Sequence, residues 1–226
     1  MNLKVNSNTM KWEKDLVKDI RFAPIFGHDL YGNTNIIGVN DNDVDDPIKY
    51  RGFQQTNPQM EFSPENHIAL QQAIDRCKNK PKTFLEIGVC RNGENSSTHT
   101  ILKNLPIDGI YLGVDIADKS FLDNTEKGIH TIKASSSNYE EVVSKLNSIG
   151  ISKLDFIFID GWHSVNQVLL DWEYTKILSD GGVVAFHDTT AHPGPNLFMK
   201  FLNTTLWEVH PNLCPNDHGL GYCIMR

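Results

Sequence analysis

Two short polar runs carry the residue types that do chemistry in this chain: Asp160-Gly161-Trp162-His163 and His187-Asp188-Thr189. Each follows an unbroken apolar stretch, Phe156-Ile157-Phe158-Ile159 before the first and Val183-Val184-Ala185-Phe186 before the second. If the two stretches are neighbouring strands, Asp160 and Asp188 converge within reach of one cation. Two carboxylates with water suit Mg²⁺ or Ca²⁺. His163 and His187 shift the preference toward Mn²⁺, Fe²⁺ or Zn²⁺. An imidazole here can equally act as a general base near neutral pH. A third role for His187 is a hydrogen bond to backbone inside the core, and the sequence leaves the three open.

Two further carboxylates sit in the same relation to apolar runs. Glu86 stands at the end of Phe84-Leu85-Glu86-Ile87, which breaks at once into Gly88-Val89-Cys90-Arg91-Asn92-Gly93. Asp115 ends the next run one strand–helix–strand unit further on. A carboxylate at that place can accept hydrogen bonds from both hydroxyls of a ribose. Gly88 permits a tight turn and Gly93 a close backbone approach. The turn lacks G-x-G-x-x-G, so it is not the usual dinucleotide fingerprint. Ser135 and Ser136 end the following run; they can bond an adenine edge or cap the helix that begins near Tyr139.

The elements that must position these groups alternate. Strands are expected at 83–87, 110–115, 129–133, 154–159 and 182–187, and helices at 94–104, 138–148 and 164–178. Ahead of them, Ser63-Pro64-Glu65 reads as a helix start, with an N-cap, a proline in the first turn and an acid near the positive helix end. Leu70, Ala73, Ile74 and Cys77 then form a helical stripe. Continuous apolar strands suit the centre of a parallel sheet covered on both faces. Alternation of strand and helix gives an α/β, doubly wound sheet. Its strand ends share one rim, so Glu86, Asp115, Asp160 and Asp188 gather along one crevice. Segments 206–210 and 219–225 read as a closing antiparallel hairpin. Residues 1–62 carry little periodicity but hold Phe22, Phe26, Tyr31, Tyr50 and Phe53. We expect them to form an irregular arm or lid, with the ordered domain at 63–226.

Composition excludes several classes. With 28 acidic against 21 basic residues the net charge is -7, which disfavours tracking of a phosphate backbone, so no nucleic acid is expected. No apolar run is long enough to span a membrane. The opening residues MNLKVNSNTMKWEK contain no secretory h-region. Cys77, Cys90, Cys214 and Cys223 form no C-x-x-C pair, so a cytoplasmic protein with reduced thiols is expected. His210, Cys214, His218 and Cys223 do not have a recognised zinc spacing.

At these residues the chain resembles class I S-adenosylmethionine-dependent methyltransferases. FLEIGVCRNG resembles their first motif, and GVDI resembles the acidic end of their second strand. LDFIFIDGWHS followed by SDGGVVAFHDT resembles the branch of macrocin-type O-methyltransferases and cephalosporin-hydroxylase-like proteins. The resemblance covers about residues 64–226. It implies a Rossmann-like, mostly parallel seven-stranded sheet with an antiparallel last strand. It implies that S-adenosyl-L-methionine is held by the Glu86–Gly93 loop (Glu86, Gly88, Val89, Cys90, Asn92, Gly93). Asp115 with Ile116 would sit at the ribose, Ser135 and Ser136 near adenine, and Asp160 beside them. It also implies a divalent metal, Mg²⁺ or Mn²⁺, at Asp160 and Asp188, with His187 as third ligand or base. His163 is the second candidate base. In relatives the residue before Asp188 is often acidic, and Trp162 replaces an acidic or small residue. The expected acceptor is a small-molecule or sugar hydroxyl, with its specificity set by residues 20–62 and by a loop at Thr189–Asn196 that Pro193 and Pro195 stiffen, and the irregular arm suits a homo-oligomer. The competing expectations are metal-independent transfer with a histidine base, and a cofactor-binding module without catalysis. A nicotinamide-linked oxidoreductase is disfavoured by the missing glycine fingerprint.

Overall fold

The computed structural model describes residues 62–89, 96–163, 165–190, 192–215 and 217–226. The expected N-terminal arm, apart from Phe62, lies outside these residues, as do Cys90, Asn92 and Gly93.

The chain enters the described region at a helix whose start is written in its residues. α1 (Pro64–Asp75) begins with proline in its first turn, and the Ser63 hydroxyl accepts from the Asn66 amide at 3.2 Å. Strands and helices then alternate: β1 (Thr83–Ile87), α2 (Ser97–Asn104), β2 (Ile110–Asp115), β3 (Ile129–Lys133), α3 (Tyr139–Ser148), β4 (Leu154–Ile159), α4 (Val165–Trp172) and β5 (Leu178–His187). α5 (Pro193–Phe201), β6 (Trp207–His210) and β7 (Leu220–Met225) complete the chain. They form one seven-stranded sheet in the order β3-β2-β1-β4-β5-β7-β6. Strands β1 to β5 pair in parallel, and β7 runs antiparallel to both β5 and β6.

The doubly wound arrangement follows from strands that are apolar on both faces. Leu85, Ile87, Leu112, Val114, Ile157, Ile159, Val184 and Phe186 face one layer, where Trp172 packs against Phe186, Phe198 and Trp207. Phe84, Tyr111, Phe156, Phe158, Val183 and Ala185 face the other, beneath Leu70, Ala73 and Ile74 of α1 and Ile101 of α2. No described helix is long and apolar enough to cross a membrane.

Three elements differ from their sequence reading. β5 starts at Leu178, several residues early, because Ser179-Asp180-Gly181-Gly182 continues the strand after an irregularity in its pairing with β4. The helix expected over 164–178 tightens into a 3₁₀ segment (Glu173–Ile177) after Trp172. The run Thr189–Asn196, read as a stiff loop, contains the start of α5, because proline is tolerated in a helix's first turn.

Candidate active site

The parallel order brings the ends of β1, β2, β4 and β5 to one edge. Their backbones are tied there: the Gly88 amide donates to the Val114 carbonyl at 2.9 Å, and the Asp160 amide to the Ile87 carbonyl at 2.8 Å. Gly88 has φ +83°, and a Cβ added to it would lie 2.0 Å from the Asp160 carbonyl oxygen. A glycine is therefore required by the neighbouring strand itself. Asp115 accepts from the Val89 amide at 2.9 Å and from the Ala117 amide at 2.7 Å, so it holds the turns after β1 and β2 together. Each carboxylate offers about four lone-pair positions, which leaves Asp115 capacity for a ligand. Ile116, just beyond it, is exposed.

Glu86 is placed differently from its expected ligand role. It has no exposed surface, and its two oxygens accept from the hydroxyls of Ser97 and Tyr111. Burial pushes its carboxyl up to about 7, against the opposing effect of those hydroxyls. Glu86 thus braces the turn from below. Ser136 is also turned inward: its hydroxyl accepts from Gln167 at 3.0 Å and its carbonyl from the Tyr174 hydroxyl at 2.6 Å. Ser135 pairs with the Ser137 hydroxyl at 2.7 Å. Neither serine caps α3, whose N-cap position is Asn138.

The second cluster assembles as its strand ends require. Asp160, after β4, and Asp188, after β5, lie within reach of the same imidazoles. His163 Nε2 is 2.8 Å from Asp188 Oδ2 and 3.6 Å from Asp160 Oδ1. His187 Nδ1 is 3.2 Å from Asp160 Oδ1 and 3.5 Å from Asp188 Oδ2. Asp188 adopts φ +60°, a left-handed conformation that aspartate takes up more readily than most non-glycine residues. The side chains differ in access: Asp160 is 23% exposed, His163 11% and His187 5%. Burial opposes charge on all four groups. It is outweighed: Asp188 and Asp160 push His163 up to about 9 and hold His187 well above the ordinary imidazole range. In return the imidazoles hold Asp160 below, and Asp188 well below, the usual carboxylate range.

Several residues of this site were not singled out from the sequence. Asn66 of α1 is fully buried and places its Nδ2 3.2 Å from His187 Nε2 and 3.0 Å from Asp217 Oδ2. Its signal was available, because Asn66 stands one helical turn before Leu70 on the apolar stripe. His192, at the N-cap of α5, donates its amide to the Asp188 carbonyl at 3.0 Å and lays its ring 4.3 Å from that of His163. Phe62 packs its ring 5.1 Å from His187. The loop between β6 and β7 closes the back of the site. The Thr190 amide donates to the His218 carbonyl at 2.8 Å, and Asn212 donates to the Thr190 hydroxyl at 2.8 Å. Trp162 is 48% exposed beside His163.

Residues 85–189 match a family profile described as a methyltransferase domain. The match runs from β1 through Thr189 and so takes in Glu86, Asp115, Asp160 and Asp188. No curated protein matches the chain. Among solved structures, this chain is similar to an O-methyltransferase from Bacillus cereus in complex with SAH. The two share 14% identity over 88% of this chain and 96% of that one, with a TM-score of 0.52. It is similar to a putative caffeoyl-CoA O-methyltransferase from Staphylococcus aureus, at 14% identity over 73% and 84% of the chains and a TM-score of 0.53. It is also similar to the MycE methyltransferase of the mycinamycin biosynthetic pathway, solved with Mg, SAH and mycinamycin VI. That match has 16% identity and a TM-score of 0.51, covering 70% of this chain and 48% of MycE. The chain thus spans about half the length of MycE. At such identities the likeness is one of fold: the chain has the Rossmann-like architecture of these structures.

Proposed function

We propose that the protein transfers a methyl group from S-adenosylmethionine to a hydroxyl of a small molecule or sugar, assisted by a divalent cation at the β4–β5 ends. The observation that carries this reading is the contact between the two halves of the edge. The Gly88 turn, which would hold the donor, packs directly on the Asp160 carbonyl, and Asp160 opens the acidic cluster. Donor and acceptor sites thus share a peptide. Alignment of this kind supplies up to about 7–11 kcal/mol of a displacement barrier.

The residues fit both groups. Asp115 keeps lone pairs free for ribose hydroxyls while its other contacts hold the turn. In the second cluster two carboxylates face two imidazoles, and neither ring nitrogen of buried His163 makes an aligned hydrogen bond despite the short approach to Asp188. A bound divalent ion would lower the pKa of the acceptor hydroxyl and fix its oxygen. Asp160, the most exposed of the four groups, would receive the hydroxyl's proton. His187, expected as base or ligand, is enclosed by Asn66, Phe62 and Asp160 and serves better to orient Asp160. Exposed Trp162 offers the acceptor a flat apolar face beside the cluster.

Calorimetric titration with S-adenosylhomocysteine tests the donor half. Binding to the purified protein is expected, and failure to bind either this product or the sulfonium donor would end the reading. Asp160→Asn should abolish turnover while binding of the product survives. Activity unchanged by EDTA would remove the cation and leave His163, paired with Asp188, as base.

A further inference from the structure

The cluster contains two overlapping donor sets that share Asp188: Asp160, His187 and Asp188, and His163, Asp188 and His192. In each, one ligand atom per residue lies within 4.8 Å of the others. We propose that a divalent transition-metal ion is held by the second set, and that His187 is not a ligand. This rests on the reading above only in placing an ion at the β4–β5 ends.

The hydrogen bonds of His187 exclude it. Asn66 Nδ2 donates to Asp217 Oδ2, which fixes the nitrogen end of that amide. The same nitrogen lies 3.2 Å from His187 Nε2, so its second hydrogen meets a lone pair there. A neutral imidazole that accepts at Nε2 carries its proton on Nδ1. Nδ1 then donates to Asp160 Oδ1 at 3.2 Å. A nitrogen bearing hydrogen has no lone pair for a metal, and fully buried Asn66 has no solvent with which to exchange partners.

His163 presents the opposite case. It is buried, and neither ring nitrogen makes an aligned hydrogen bond. Its Nε2 nevertheless stands 2.8 Å from Asp188 Oδ2. Two donors on one ion, with bonds of about 2.0–2.1 Å, are separated by about 2.8–3.4 Å and need not point at each other. That is the relation between His163 and Asp188. The left-handed backbone of Asp188 then folds the chain back, and the amide of His192 closes on the Asp188 carbonyl. Its ring comes to lie 4.3 Å from His163 at an interplanar angle of 31°. Two imidazoles and one carboxylate would hold the ion with coordination positions left for an oxygen ligand. Such a set selects Mn²⁺, Fe²⁺, Co²⁺ or Zn²⁺ over Mg²⁺, which favours oxygen ligands. Asp160, held by His187, remains available to take the proton.

The test is titration of chelator-treated full-length protein with Co²⁺ and with Mg²⁺, with S-adenosylhomocysteine binding measured on the same samples. Co²⁺ is expected to bind at least tenfold more tightly than Mg²⁺. His163→Ala and His192→Ala should each weaken Co²⁺ at least tenfold, while His187→Gln, which can still donate to Asp160, stays within threefold of wild type. Proton NMR of the wild-type Co²⁺ protein should show two shifted, exchangeable imidazole N–H resonances, a result that needs no variant to fold. Absence of Co²⁺ binding, a single such resonance, or loss of Co²⁺ on His187→Gln with retention on His192→Ala would overturn the assignment. Protein that binds S-adenosylhomocysteine but no ion refutes this inference and the cation's part in the proposed transfer, and leaves the donor site standing. Protein that binds Co²⁺ as described but neither cofactor form refutes the methyl-transfer reading alone.

Discussion

Gly88→Ala should damage the protein in a way that a second glycine can calibrate. Both Gly88 and Gly150 are left-handed, with φ +83° and +89°. Any L-residue there costs about 1–2 kcal/mol from the backbone conformation. At Gly150 that is the whole cost, because the nearest atom to an added Cβ is Ile110 Cδ1 at 3.9 Å. At Gly88 the Cβ would also lie 2.0 Å from the Asp160 carbonyl oxygen and 2.6 Å from its carbon. These are backbone atoms and cannot rotate away, so β4 must shift from β1, at a further cost of about 1–3 kcal/mol. Denaturant unfolding should therefore show Gly150→Ala losing about 1–2 kcal/mol and Gly88→Ala about 2–5 kcal/mol. The shift also moves Asp160, so turnover of Gly88→Ala should fall by about 100-fold while Gly150→Ala keeps it. Equal destabilisation of the two variants, or a Gly88→Ala enzyme of normal activity, would refute the close packing of the donor turn on the acidic cluster.

Two further outcomes concern the core. Glu86, with a carboxyl raised from 4.5 to about 7, binds its proton more tightly folded than unfolded. Its contribution to stability is therefore complete below about pH 4.5 and lost as pH rises through about 7. Glu86→Gln should flatten that part of the stability profile, and an unchanged slope would show that Glu86 is ionised without penalty. Trp172, enclosed by Phe186, Phe198 and Trp207, should cost about 3–5 kcal/mol as Trp172→Ala, read as a lower denaturant midpoint at similar slope.

What the sequence disclosed depended on how local the determining physics was. The N-cap at Ser63 and the central strands at 156–159 and 183–186 follow from residues within a few positions of one another, and all are present. The meeting of Asp160 with Asp188 followed from topology alone, because parallel neighbours deliver their ends to one rim. The directions of individual side chains did not follow. Glu86 and Ser136 turn inward because hydroxyl and amide partners await them on α2, β2 and α4, and no spacing rule encodes those pairings. His187 was indistinguishable from His163 in sequence; its different environment comes from Asn66, which lies 121 positions away. His192 was obscured by the prolines around it, which suggested a rigid loop where a helix begins.

The bracing of the Asp188–His192 turn by Asn212 and His218 has a consequence for biogenesis. On the ribosome, strands β1 to β5 emerge and can pair before that buttress exists. The chemistry-bearing corner matures only after the final hairpin docks, so a chain truncated before residue 212 could retain the donor-side turns yet would be born without a finished reaction centre.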